Sequence, residues 1–140
     1  MKGEMKCVVN RPVEEVFDFL ADVRNEAAWN PRVVRIDKTS DGPIGAGTTF
    51  HGLYKGIGPL RTELVEYERP GRLSFRSRGP RMRITGTFVL STAQGESSVG
   101  LNADLEPQGP FRFIAPLMAP LIKRQNAAAA TRLRQALEKG

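Results

Sequence analysis

The sequence predicts an α+β fold: a curved antiparallel sheet of about seven strands around a long C-terminal helix, with two short helices between strands 1 and 2. Three observations carry that prediction. An apolar stripe of helical spacing stands near the N-terminus, at Val13, Val16, Phe17 and Leu20. From residue 32 to residue 106 the apolar period shortens to two, and turn residues interrupt it again and again. Residues 121–138 then return to a helical pattern, with Ala127 to Ala130, Leu133 and Leu137.

Residues 4–10 alternate and then become β-branched, which reads as the first strand. Arg11-Pro12 follows, and proline suits the first turn of a helix, where its missing N–H has no partner to lose. Glu14 and Glu15 fall in that turn, favourably placed for the helix dipole. A second short helix is expected over residues 25–29. Pro31 ends it, because a residue before proline is pushed away from helical angles. Strands follow at 32–39, 48–55, 61–68, 72–78, 82–92 and 97–106, separated by turn clusters at 41–47, 56–59, 70–71, 79–80 and 93–96. Connections this short make an antiparallel meander. Pro116 and Pro120 predict a broken or bent entry over residues 110–120, with a regular helix after it. A twisted sheet of this size curls, and the long helix needs an apolar face to cover. Helix and sheet together leave room for a cavity.

The chain has 140 residues, which suggests a single domain over 1–140, and its composition is that of an ordinary soluble protein. Lys plus Arg total 21 against 15 for Asp plus Glu, a net charge of +6. Such a balance favours anionic partners without choosing among them. Cys7 is the only cysteine and His51 the only histidine, so an intrachain disulfide and a Cys/His zinc cluster are both excluded. No stretch approaches the ~20 apolar residues of a membrane span. The segment from Met1 to Lys6 lacks an apolar signal core, so a cytoplasmic location is expected. No metal and no cofactor is expected.

At this point the order of elements and several local motifs resemble a known family. Val9-Asn10-Arg11-Pro12-Val13-Glu14-Glu15-Val16-Phe17-Asp18-Phe19-Leu20-Ala21-Asp22 is similar to the family's opening strand and helix. Trp29-Asn30-Pro31 stands where the chain passes into the second strand, and Ile44-Gly45-Ala46-Gly47-Thr48 resembles the glycine turn before the third. Glu66-Tyr67-Glu68-Arg69-Pro70-Gly71-Arg72-Leu73 resembles the E-x-x-x-P-x-x-L turn. The family is the START-like polyketide cyclase/dehydrase and lipid-transport superfamily (SRPBCC), and the likeness covers nearly the whole chain. It implies the helix-grip fold, with an elongated apolar cavity between the C-terminal helix and the concave sheet. It also implies a lipid, polyketide or similar hydrophobic ligand, with catalysis in some members and none known in many.

Alternation divides the strands into faces. Leu73, Phe75 and Ser77 oppose Arg72, Ser74, Arg76 and Arg78; Met82, Ile84, Gly86, Phe88 and Leu90 oppose Arg83, Thr85, Thr87 and Val89. The apolar sets must face the helix, either as plain core or as a ligand wall. Candidate wall residues are Trp29, Phe50, Tyr54, Phe75, Met82, Phe88, Phe113, Leu117 and Leu121, with Gly52 and Gly86 as small positions that leave volume. Trp29 has two places open to it, a packed corner or the cavity mouth. Register is open over 61–68, where Leu64 and Val65 compete for the inner face. His51 is expected to point outward and Cys7 to be inert packing. No Ser/His/Asp order, paired inward carboxylates or phosphate loop is present, so no catalytic residue is assigned.

Charge is concentrated rather than spread. Residues 69–83 hold Arg69, Arg72, Arg76, Arg78, Arg81 and Arg83 and no acid. Arg72, Arg76, Arg78 and Arg83 fall opposite the apolar faces of their strands. They form either a solvated outer surface or a docking face for an acidic protein or an anionic lipid surface. Nucleic acid fits least, because Phe75 is the only aromatic in the run and points inward. Three functions follow as expectations: binding of a hydrophobic small molecule for transport or sequestration, aromatase/cyclase action on a carrier-bound polyketide, or a protein-interaction module using the arginine face.

Overall fold

The computed structural model describes residues 2–139, with the side chains of Ile122 and Asn126 left out of the description. Seven strands form one antiparallel sheet: β1 (Lys2–Val9), β2 (Val33–Lys38), β3 (Thr49–Tyr54), β4 (Gly58–Glu68), β5 (Arg72–Arg78), β6 (Met82–Ala93) and β7 (Glu96–Pro107). Their order is β1-β7-β6-β5-β4-β3-β2, so six consecutive strands meander and β1 closes the far edge against β7. Helix α1 (Val13–Ala21) and a 3-10 helix (Val23–Ala28) carry the chain from one edge of the sheet to the other. Helix α2 (Phe111–Glu138) ends the fold and lies chiefly on β1. The α+β helix-grip architecture is therefore the one read from the sequence.

Each element has a local cause. Val16, Phe17 and Leu20 are buried, so the apolar stripe of α1 faces the core while Glu14 and Glu15 stay exposed. The second short helix is 3-10 and begins at Val23, capped by the Asp22 carboxylate, which accepts from the Arg24 N–H at 3.2 Å. The β6–β7 turn needs only two residues. Gln94 and Gly95 both take positive φ (52° and 81°), the mirror-image turn that matches strand twist. In β4 a bulge settles the open register. Leu64 pairs with Phe75 and Glu66 with Ser74, so Val65 is skipped and turned out to solvent while Leu64 is buried.

Of the broken or bent entry expected for α2, the break is absent. The helix is continuous from Phe111, with Pro116 and Pro120 inside it. Each proline removes one donor, leaving the carbonyls of Arg112 and Pro116 without their helical N–H. Both prolines are exposed, so this side of the helix is open to water. The C-terminal half packs firmly through Leu133 and Leu137.

Two apolar clusters hold the layers together. The larger joins Met5 and Val9 of β1, Val16, Phe17 and Leu20 of α1, Leu64, Leu73, Phe88 and Val99 of the sheet, and Leu133 and Leu137 of α2. The smaller joins Tyr54, Ile57, Leu60 and Met82. No helix among the described residues is long and apolar enough to cross a membrane.

Candidate functional site

Between the two clusters the curled sheet and α2 do not meet, and a cavity of about 220 Å³ remains. Its walls take residues from both clusters: Leu64, Leu73 and Phe88 from the larger, Tyr54, Ile57, Leu60 and Met82 from the smaller. Helix α2 closes one side with Phe111, Ala115, Met118, Gln125 and Ala129. Most of the lining is apolar, as a site for a hydrophobic ligand requires.

The candidate wall residues separate into three groups. Trp29, Tyr54, Phe75, Met82 and Phe88 line the cavity together. Phe50 points inward but is sealed in the core at 0% exposure, away from the cavity lining. Phe113, Leu117 and Leu121 are corrected outright: they lie on the outer side of α2, at 71%, 83% and 47% exposure. The cause is the unbroken helix. Its inner face is set by Phe111, Ala115 and Met118, at helical spacing, which turns 113, 117 and 121 outward.

Gly52 and Gly86 make room for rings rather than for ligand. A Cβ on Gly86 would lie 2.5 Å from the ring of Phe75, its cross-strand partner. One on Gly52 would lie 2.6 Å from the ring of Tyr54, two residues along the same strand. Both rings occupy the space these glycines leave and form part of the wall. Phe75 in turn meets Phe88 at a centroid distance of 6.0 Å.

Polar groups enter the cavity at few places. The phenol of Tyr54 donates to Glu26 Oε1 at 2.7 Å, and Asn30 Nδ2 donates to Glu26 Oε2 at 2.8 Å. The 3-10 helix builds this arrangement, because the Asn30 N–H also bonds the Glu26 carbonyl at 2.8 Å. Burial pushes the Glu26 carboxyl above its usual pKa, more than the two donated hydrogen bonds pull it down. Burial, followed by the charge of Glu26, pushes the Tyr54 phenol up as well. Deeper in the sheet, Thr62 and Ser77 are both buried and share one hydrogen bond of 2.6 Å between their hydroxyls. Arg32 borders the cavity, and Glu4 borders it from the exposed edge of β1.

Sequence reasoning missed Glu26, Asn30, Arg32 and Thr62, and it placed Ser77 on the inner face with Leu73 and Phe75 by simple alternation without counting it in the wall. Glu26 carried no signal, because a short 3-10 helix has no periodicity that marks an inward face. Cys7 is half-buried on β1, and its thiol is pushed up, chiefly by burial. His51 is exposed on the outer face, paired in register with Asp37 and Arg61.

Four arginines of the run, Arg72, Arg76, Arg78 and Arg83, lie on the convex side of the sheet, away from the cavity. Arg72 reaches Glu66 at 3.4 Å and Arg76 reaches Glu63 at 3.1 Å. Arg78 is exposed between Arg61 and Arg83, its cross-strand partners on either side. Arg69 is bound in a two-point bridge to Asp18 of α1, at 2.7 and 2.9 Å.

Comparison with known proteins agrees with this geometry. A family model described as polyketide cyclase / dehydrase and lipid transport matches residues 2–138. No curated protein matches the sequence. Among solved structures, the Zhui aromatase/cyclase from a Streptomyces species superposes with a TM-score of 0.78 at 16% identity, covering 99% of this chain and 94% of that one. A protein from Thermus thermophilus gives 0.75 at 20% identity, over 99% and 95% of the two chains. The di-domain aromatase/cyclase BexL gives 0.67 at 18% identity, over 97% of this chain and 47% of its own. At these identities the structural likeness speaks for the fold, and the matched profile for the family. The chain belongs to the polyketide cyclase/dehydrase and lipid transport family.

Proposed function

We propose that this chain binds a hydrophobic small molecule in the cavity between α2 and the sheet, for transport or sequestration. The carrying observation is a mostly apolar cavity whose wall takes residues from both packed clusters. An apolar space of this kind gains free energy when apolar surface leaves water to fill it. Trp29, Tyr54, Phe75, Met82 and Phe88 form the contact wall in this reading, with α2 as the cover. Native mass spectrometry of the purified protein tests it, together with thermal shifts from fatty acids, sterols, quinones and aromatic polyketides. Retained lipid-like mass or a saturable shift is expected. Empty protein with no shift across the panel would contradict the reading.

A second reading, aromatase/cyclase action on a polyketide, is favoured by one observation. A carboxyl that holds its proton more tightly than usual, bonded to a phenol in an apolar site, is suited to proton transfer. Turnover of a poly-β-keto substrate that disappears in Glu26→Gln supports it, and no product above background sinks it.

A further inference from the structure

We infer that the ligand is an amphiphile with an anionic end, and that Arg32 holds that end at the cavity wall. The inference deepens the binding reading above and rests on it.

Arg32 is half-buried and borders a mostly apolar cavity. A guanidinium stays charged at every accessible pH, so it cannot escape burial by losing its proton. A charge withdrawn from water calls for a counter-charge. None is supplied by the described residues: Arg32 takes part in none of their ion pairs, and its guanidinium makes none of their hydrogen bonds, which reach Arg32 only at its backbone. Burial also pulls its pKa below the usual arginine value, with no acid offsetting the pull.

The other acids at the cavity do not answer it. Both oxygens of Glu26 are engaged, by Tyr54 and by Asn30. Glu4 is exposed at the opposite edge strand of the sheet and makes no ion pair with Arg32. The Arg32 backbone, by contrast, is pinned. Asn30 holds its N–H, and its carbonyl accepts from the Lys55 N–H at 2.8 Å. The side chain therefore starts from a fixed point with five donors to offer. That fork suits a carboxylate or a phosphate, which it can grip with two parallel bonds. The apolar remainder of such a ligand would lie along Trp29, Tyr54 and Met82.

A matched series tests this: dodecanoate, dodecyl phosphate and dodecanol, each below its aggregation limit, titrated calorimetrically into the full chain. Either anion is expected to bind at least about tenfold more tightly than the alcohol. Whichever anion binds more tightly identifies the headgroup. In Arg32→Gln the advantage should vanish while dodecanol affinity stays unchanged, which also shows that the variant is folded. In Arg32→Lys part of the advantage should return. Equal affinity of acid and alcohol for the wild-type chain would overturn the role of Arg32 and leave the cavity reading intact. Failure of all three to bind would overturn the cavity reading and the inference with it.

Discussion

Glu26 accepts a 2.7 Å hydrogen bond from the phenol of Tyr54 across a gap of 28 residues in sequence. The bond ties the 3-10 helix to β3 and places a carboxyl inside an apolar wall. Its energetics follow from burial. Because burial raises the folded-state pKa above the ordinary value of 4.5, the stability Glu26 contributes is fully present below that pH. It is lost as pH rises through the folded-state value. The Glu26 contribution to stability should therefore decline on raising pH from about 4.5. Glu26→Gln should remove that part of the slope, as urea unfolding at successive pH values will show.

Gly86 is predicted to be intolerant of a methyl group. Gly86→Ala places a carbon where the Phe75 ring now lies, so the ring must swing into the cavity. A loss of about 1–3 kcal/mol is expected, from overpacking. Ligand affinity should fall with it. An alanine variant of unchanged stability and unchanged affinity would contradict the account of the wall.

The two halves of α2 should respond oppositely to truncation. Leu133 is fully buried, and Leu133→Ala should cost about 2–5 kcal/mol. Leu117 stands 83% exposed, and Leu117→Ser should change stability by no more than about 0.5 kcal/mol. Chemical denaturation of both variants decides this. A large loss in Leu117→Ser would mean that the helix covers the cavity with its other face.

The Arg69–Asp18 bridge links the β4–β5 turn to α1. Its hydrogen bonds hold the Asp18 carboxyl below its usual range. The contribution is present above the unfolded pKa and lost as pH falls through the lower folded one. Both side chains are about half exposed, so Asp18→Asn should cost less than about 1 kcal/mol, and less still in high salt.

The fold was legible because strand alternation is unambiguous where it runs long. Met82, Ile84, Phe88 and Leu90, and Val99, Leu101 and Leu105, all turn inward as alternation requires, and Val89 turns outward for the same reason. The bulge at Val65 was not legible, since two adjacent apolar residues satisfy either register. The cavity was half legible: its strand wall came from alternation, whereas its helical cover did not. Two prolines argued for a break in α2, and the choice of face depended on whether that break exists. The polar groups were the least legible part. Glu26 and Arg32 sit on a 3-10 helix and at its exit, where no repeat connects position in sequence with direction in space.

Trp29 offers the most direct measurement of the central claim. It is the only tryptophan in the chain and it lines the cavity, so its emission reports what enters. Titration with dodecanoate should move that emission saturably, with one ligand per chain, and the response should be smaller in Gly86→Ala. Emission that stays constant up to the solubility limit of dodecanoate and of the other apolar ligands would contradict the assignment of this cavity as the binding site.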